Sequence, residues 1–477
     1  MAVMSSKRLV IVGGGITGLA AAYYAERAFP DLNITLLEAG ERLGGKVATY
    51  REDGFTIERG PDSYVARKHI LTDLIEAIGL GEKLVRNNTS QAFILDTGGL
   101  HPIPKGAVMG IPTDLDLFRQ TTLLTEEEKQ EVADLLLHPS DSLRIPEQDI
   151  PLGEYLRPRL GDALVEKLIE PLLSGIYAGN IDQMSTFATY PQFVANEQKA
   201  GSLFEGMRLM RPLDQLPQTP QTTIKATGQF LSLETGLESL IERLEEVLER
   251  SEIRLETPLL AISREDGRYR LKTDHGPEYA DYVLLTIPHP QVVQLLPDAH
   301  LPELEQLTTH STATVTMIFD QQQSLPIEGT GFVVNRRAPY SITACTAIDQ
   351  KWNHSAPDHT VLRAFVGRPG NDHLVHESDE VLQQAVLQDL EKICGRTLEP
   401  KQVIISRLMD GLPAYTVGHA DRIQRVREEV LAQYPGIYLA GLAYDGVGLP
   451  DCVASAKTMI ESIELEQSHT DESVNET

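Results

Sequence analysis

The chain has 477 residues, 41% of them hydrophobic and 23% charged, which at roughly 100–200 residues per domain predicts a globular protein of two to four domains. With 69 acidic against 42 basic side chains its formal charge is −27, which disfavours nucleic acid and anionic lipid as partners. Cys345, Cys394 and Cys452 lie far apart without a CxxC pair, and the 13 histidines show no ligand spacing, so neither a disulfide framework nor a metal site is expected, and a cytoplasmic, reducing setting is.

Arg8–Val12 is a short apolar run, predicted as a buried strand, and residues 16–27, rich in alanine and leucine, as a helix. Asn33–Leu37 is a second strand ending at Glu38. Lys7-Arg8 before the apolar stretch 9–25 imitates a signal peptide, but Gly13, Gly14 and Gly15 interrupt it. No 18 uncharged apolar residues run together, so no transmembrane anchor is predicted. Residues 41–55 read as a loop leading into a strand, and 71–85 as helical. Thr125-Glu126-Glu127-Glu128 is a capping-box start for a helix over 125–137, and 153–173 reads as interrupted helix. Residues 211–223, with Pro212, Pro217 and Pro220, read as a linker. A helix is predicted over 231–251, strands over 253–255, 269–272 and 282–286, then strands over 313–319, Gly331–Val334, 361–366 and 403–408 around a helix at 380–394. A strand at 437–440 and a helix at 451–463 follow. The last fourteen residues hold five acids and no base and read as a disordered tail.

Gly13-x-Gly15-x-x-Gly18 stands between the first strand and helix. Gly13 permits a tight turn, Gly15 leaves room for a pyrophosphate against the backbone, and Gly18 lets helix and strand pack closely. Ile16 and Thr17 open the helix, whose free N–H groups favour phosphate. Glu38 lies 20 residues beyond Gly18, where a carboxylate binds ribose hydroxyls. Turn, helix and acid together predict a dinucleotide site; a purely structural glycine turn is the alternative. Glu38-Ala39-Gly40-Glu41-Arg42-Leu43-Gly44-Gly45-Lys46 then favours FAD over NAD, since a base and a glycine pair suit a longer cofactor. Arg42 is a candidate pyrophosphate neutraliser or else a surface ion-pair partner. Near the other end, Gly446-Val447-Gly448-Leu449-Pro450-Asp451 leads from a glycine loop into a helix, whose N-terminus would stabilise the negative charge of reduced flavin, or is simply a cap.

Four blocks carry a resemblance to a family: Glu58-Arg59-Gly60-Pro61-Asp62-Ser63, residues 104–112, residues 170–179 and residues 446–451. Over nearly its whole length the chain resembles the porphyrinogen oxidases of Gram-positive bacteria, flavoproteins of the amine oxidase-like superfamily. The resemblance implies non-covalent FAD, a Rossmann-like FAD-binding domain of glutathione-reductase type, a mixed-sheet substrate domain and a mainly helical domain. The expected divisions are 1–60, 225–290 and 420–466 for FAD, 61–89 and 291–419 for substrate, 90–210 helical, a linker at 211–224 and a tail at 467–477. The implied reaction is six-electron oxidation of coproporphyrinogen III to coproporphyrin III, with O2 reduced to peroxide; protoporphyrinogen IX is the alternative substrate. An amine oxidase is less favoured, because the stretch 311–317 lacks the lysine such enzymes place beside the flavin. A flavoprotein whose task is docking to haem-pathway enzymes, or contact with a membrane surface, stays open. Expected cofactor contacts are Gly13, Gly15, Ile16, Thr17, Gly18, Glu38, Ala39, Arg42, Gly45, Lys46, Gly60, Pro61, Asp62, Ser63, Leu259, Gly446, Val447 and Gly448. A tetra-anionic substrate facing a protein of charge −27 needs positive charge concentrated locally, so the expected substrate contacts are Lys68, with Arg67 nearby, and Arg208 and Arg211, in a stretch where bases cluster, together with Gly175; solvated surface bases are the alternative. No catalytic side chain is assigned.

Overall fold

Leu9, Val10, Ile11 and Val12 are all buried, as befits an interior strand of a parallel sheet covered on both faces. The computed structural model describes residues 7–140, 142–177, 179–210, 228–320, 325–356 and 358–475. The 211–224 linker and Arg211 lie outside them. Five parallel strands are ordered Ser251–Arg254, Asn33–Leu37, Arg8–Val12, Tyr282–Leu285, Ile437–Leu439. The helix Ile16–Ala28 packs on one face, where Ala20, Ala21, Ala22 and Ala25 permit close approach, alongside Leu449–Asn475 and Glu238–Val247. The other face is covered by the antiparallel strands Leu259–Glu265, Arg268–Thr273 and Gly276–Ala280 and the helix His419–Gln433. Sequence-distant ends thus meet in one sheet.

A second sheet has seven strands in the order Gln402–Pro413, Thr309–Asp320, His359–Val366, Ile342–Ala347, Gly331–Val334, Phe93–Asp96, Gly99–Pro102. Strand alternation gives it two unlike faces. Ala313, Val315, Met317, Leu362, Ala364 and Val366 pack with the helix Asp379–Cys394 in one cluster. The opposite face carries Thr314, Thr316, Arg363 and Phe365. A third core is built by helices, among them Glu126–Leu137, Leu152–Leu160, Glu170–Tyr177, Pro191–Ala200 and Leu203–Met210. Thr125 and Glu128 form the reciprocal capping box that their spacing predicts. Gly161, at φ +80°, supplies the interruption in the next helical stretch. Within this core the buried Arg159 Nε donates to both Glu197 oxygens at 2.9 and 2.8 Å, and Tyr155 donates to Oε2 at 2.5 Å.

Four expectations need correction. The stretch 90–210 does not begin helical: Phe93–Asp96 and Gly99–Pro102 form a hairpin on the edge of the large sheet, turned by Gly98–Gly99 with Gly98 N–H donating to Asp96 Oδ1. The helix expected over 71–85 is His69–Ala77, stopped by Gly79 at φ +84°, and Leu84–Arg86 is a strand. The helix expected over 231–251 is only Glu238–Val247, preceded by the strand Phe230–Leu233, because Gly236 at φ +87° separates them. Residues 464–475 continue the last helix rather than forming a disordered tail; glutamate, leucine and glutamine favour helix, and no glycine or proline stops it.

A Cβ on Gly18 would lie 1.9 Å from the Gly13 carbonyl oxygen. Gly18→Ala is therefore expected to destabilise the fold by about 3 kcal/mol, from forced separation of helix and strand. Denaturant unfolding measures this; an unchanged midpoint contradicts the packing.

Candidate active site

The first glycine turn is built by backbone contact. Gly13 has φ +109°, a conformation open to glycine, and its N–H donates to Leu37 O. Gly44 N–H donates to Gly14 O at 2.8 Å, so the second glycine pair lies directly on the first turn. An added Cβ at Gly15 would meet nothing within 4 Å, and Gly15 is the N-cap of the helix Ile16–Ala28 without a side-chain cap. A trough therefore faces unsatisfied helix N–H groups. Glu38 stands at its edge, its Oε2 accepting from Gly14 N–H at 2.6 Å and its Oε1 from Gly40 N–H at 2.8 Å. These bonds orient the carboxylate and leave lone pairs for further donors. Ala39 lies between. Thr257 N–H donates to Glu38 O, placing the strand that starts at Leu259 alongside.

Arg42 braces its own loop and stands near Glu238. Its guanidinium donates to the carbonyls of Leu43, Val47 and Gly45 at 2.9, 3.1 and 2.9 Å, and Glu238 lies 3.8 Å away. It knits the loop that carries Gly45 and Lys46. The Lys46 ammonium has no hydrogen-bond or ion-pair partner among the described residues.

The turn 60–63 is fixed from two sides. A Cβ on Gly60 would fall 1.8 Å from Lys46 O, so it abuts the glycine-pair loop. From the large sheet, Arg363 donates to Gly60 O, and Lys351 Nζ donates to Asp62 Oδ2 at 2.7 Å and Ser63 Oγ at 3.3 Å. Ser63 Oγ donates to Asp62 Oδ1, and Pro61 completes the turn. Burial pushes the Asp62 carboxyl up, but Lys351 and then Arg363 outweigh it and hold it down at about 2. Burial pushes the nearby Glu58 carboxyl up to about 7, against the bonds it accepts from Leu237 N–H at 2.6 Å and Thr49 Oγ1 at 2.8 Å and against the Arg363 charge.

At the far motif, Gly441 faces Thr17, and Gly441 N–H donates to Ser455 Oγ. Gly446, at φ +136°, donates its N–H to Tyr415 Oη at 2.7 Å, and Gly448 N–H donates to Asp451 Oδ2 at 3.2 Å. Val447 packs on the helical core. Tyr415 also donates to Leu442 O and stacks on His419 at 3.8 Å, a buttress absent from the sequence reading. Arg363 and Lys351 were missed as well. The available signal was a lone charge inside the apolar run Val361-Leu362-Arg363-Ala364-Phe365-Val366.

The expected substrate residues do not gather. Lys68 Nζ pairs with Asp451 Oδ1 at 2.5 Å, beside the 446–448 loop. Arg67 reaches Met109 Sδ. Arg208 pairs with Glu205 on one exposed helix face, 2.9 Å apart, as a solvated i,i+3 pair. Gly175 is exposed on the helix Glu170–Tyr177, with nothing within 4 Å of an added Cβ. What the structure does offer is the second face of the large sheet. Arg59 Nε donates to Ser406 Oγ at 3.2 Å, so the 60–63 turn lies over this face. Strand register continues a row through Ser406, Thr314, Phe365, Ala344 and Val333, all only partly buried. The helix Glu170–Tyr177 packs beyond it on the strand Gly331–Val334.

A parallel sheet with a glycine turn, a carboxylate at the second strand and a distal glycine loop beside the first helix defines a dinucleotide-binding oxidoreductase. The family model for flavin containing amine oxidoreductases matches residues 16–459, and the chain belongs to that family. Its cofactor is FAD. It is 42% identical to the coproporphyrinogen III oxidase of Bacillus subtilis over 464 residues, covering 95% of this chain and 97% of the other. It is 36% identical to the enzyme of that name from Staphylococcus aureus, covering 96% and 99%. A crystal structure of a protein from Exiguobacterium sp. 255-15, provisionally named a protoporphyrinogen oxidase, superposes with a TM-score of 0.90 at 97% identity, covering 97% of this chain and 100% of that one. No helix among the described residues is long and apolar enough to cross a membrane, and no group of metal-ligating side chains is found among them.

Glu58 binds a proton more tightly when folded, from its ordinary 4.5 up to about 7, so stability falls as pH rises through that window. Wild type is expected to lose roughly 3 kcal/mol between about pH 5 and pH 8 from this group, and Glu58→Gln to lose that dependence. Urea melts at both pH values check it; parallel curves contradict it.

Proposed function

We propose that this protein oxidises coproporphyrinogen III to coproporphyrin III in porphyrin biosynthesis, in the cytoplasm, with non-covalently bound FAD and with O2 reduced to H2O2. The observation that carries the substrate is the 42% identity to a coproporphyrinogen III oxidase along 95% of the chain. Protoporphyrinogen IX is the second reading, favoured by the name given to the Exiguobacterium protein. Bound FAD supplies the two-electron acceptor, and three rounds account for the six electrons lost as the macrocycle becomes aromatic.

The chain's own residues bind, orient and exclude water. Gly13, Gly15, Gly18 and the helix N–H groups of Ile16 and Thr17 receive the pyrophosphate, with Lys46 as a nearby cation and Arg42 holding the loop in shape. Glu38 receives the ribose, and the Leu259 backbone borders the adenine side. Gly60, Pro61, Asp62 and Ser63, with Gly446, Val447 and Gly448, would hold the flavin ring. The five-stranded sheet with its covering elements is the FAD-binding unit, and the large sheet forms the substrate floor. On that floor Thr314, Phe365, Ala344 and Val333 do not titrate, so their part is to seat a flat macrocycle against the flavin. Aromatisation is the driving force, which leaves orientation and desolvation to the protein. Lys68 beside the 446–448 loop is placed for a propionate at the flavin end, in exchange for Asp451.

Purified protein supplied with coproporphyrinogen III in air is expected to produce porphyrin fluorescence and peroxide at a rate far above the uncatalysed one. Production of neither, with either porphyrinogen, overturns the proposal. Glu38→Ala should weaken FAD binding by roughly 2–4 kcal/mol. Gly15→Val should abolish flavin retention while the apoprotein melts like wild-type apoprotein, since its Cβ has no protein neighbour within 4 Å. Retained flavin in Gly15→Val contradicts the pyrophosphate assignment.

A further inference from the structure

The strand His359–Val366 links two places of opposite character. At one end Arg363 holds the turn 60–63. Five residues further on, two beyond the end of the strand, stands Arg368. Between them lies Phe365, in the middle of the partly open row that runs from Ser406 to Val333. Gly367, at φ +100°, ends the alternation, and Arg368 turns into a cavity of about 340 Å³ lined by Arg336, Tyr340, Ser341, Arg368, Asn371 and His373 among others.

The charges in this cavity are not balanced. Arg336 donates to Glu170 Oε1 at 3.3 Å and to Pro369 O at 3.4 Å. Arg368 is half-buried, and its guanidinium has no hydrogen bond or ion pair among the described residues. Burial, and then the neighbouring Arg336 cation, disfavour its charge, and Glu170 offsets this only in part. Two guanidinium groups thus share one carboxylate, in a protein of formal charge −27. Glu170 opens the helix Glu170–Tyr177, which packs on the strand Gly331–Val334, so through Arg336 and Glu170 the cavity is tied to the end of that strand.

We propose that Arg368, with Arg336, forms a carboxylate subsite for the end of the substrate remote from the flavin. The subsite takes a propionate of a tetrapyrrole lying over Phe365, in a bidentate contact for which a free guanidinium is suited. It thereby makes a tetracarboxylate a better substrate than a dicarboxylate. This rests on the porphyrinogen reading given above. A macrocycle anchored by Lys68 near the 446–448 loop and by Arg368 at the other end is held by charges at two opposite edges, which sets its orientation. A porphyrinogen with propionates along one edge only cannot use both.

The test uses the FAD-loaded enzyme with Arg368→Met, Arg368→Lys and Arg336→Met. Arg368→Met is expected to raise KM for coproporphyrinogen III about tenfold, the scale of one partly screened charge-assisted contact, with kcat and flavin content unchanged. Arg368→Lys should recover part of the loss, and Arg336→Met should show a smaller rise. KM for protoporphyrinogen IX should move less in every variant. Equilibrium binding of coproporphyrin III to the oxidised enzyme, followed by porphyrin fluorescence, should weaken in parallel and needs no turnover. Unchanged KM and unchanged porphyrin binding in Arg368→Met overturn the subsite while leaving the activity intact. An equal KM rise for both porphyrinogens overturns its role in selectivity. Wild-type enzyme that neither turns over nor binds either porphyrin overturns the functional reading itself, and the subsite with it.

Discussion

The contact on which the rest depends is the one between the large sheet and the turn 60–63. Arg363 and Lys351 come from the sheet region; Gly60 O, Asp62 and Ser63 receive their hydrogen bonds. A cation buried in a sheet is costly; here the Gly60 carbonyl accepts from Arg363, the Asp62 carboxylate accepts from Lys351, and the Asp62 and Glu58 charges act on Arg363 from further off. The same contact does geometric work. It sets the turn against the glycine-pair loop through Gly60 and above the floor of the sheet through Arg59 and Ser406. A flavin ring and a macrocycle must be held to within a fraction of an ångström for electron-pair transfer.

The parallel sheet was legible because its information is local. Apolar runs gave the strands, the glycine spacing gave the turn, and the position of Glu38 gave the acid. The capping box at Thr125 was legible for the same reason: its two partners are three residues apart. The hairpin at 93–102 was hidden inside a stretch read as helical, since its neighbour in the sheet, Gly331–Val334, is more than two hundred residues away. Arg363 and Lys351 were hidden likewise, as their partners precede them by about three hundred residues. Charge counting pointed to Arg208 because bases cluster near it, yet Glu205 lies one helical turn away and pairs with it. Sequence density of charge does not register such pairing, nor the isolation of Arg368 in its cavity.

Glycine plays two distinct parts in this molecule. At Gly18 and Gly60 the missing Cβ lets backbone meet backbone, so those positions serve the fold. At Gly15 and Gly175 the missing Cβ faces open space, so the fold gains nothing from it. In the first case substitution strains the apoprotein; in the second the added Cβ meets no protein atom. The acidic surface fits this division. A strongly negative protein that handles an anionic substrate must concentrate cations locally, and Arg336 and Arg368 line one cavity together.

The central claim is that a porphyrinogen seated on this floor delivers its electrons to the bound flavin. Anaerobic mixing of the FAD-loaded protein with coproporphyrinogen III tests it most directly, with the flavin absorbance followed in time. The account predicts that the yellow colour bleaches in one fast phase and returns, with porphyrin fluorescence, when air is admitted. Porphyrin formation with the flavin remaining oxidised, or a flavin that stays yellow with no product, would contradict it.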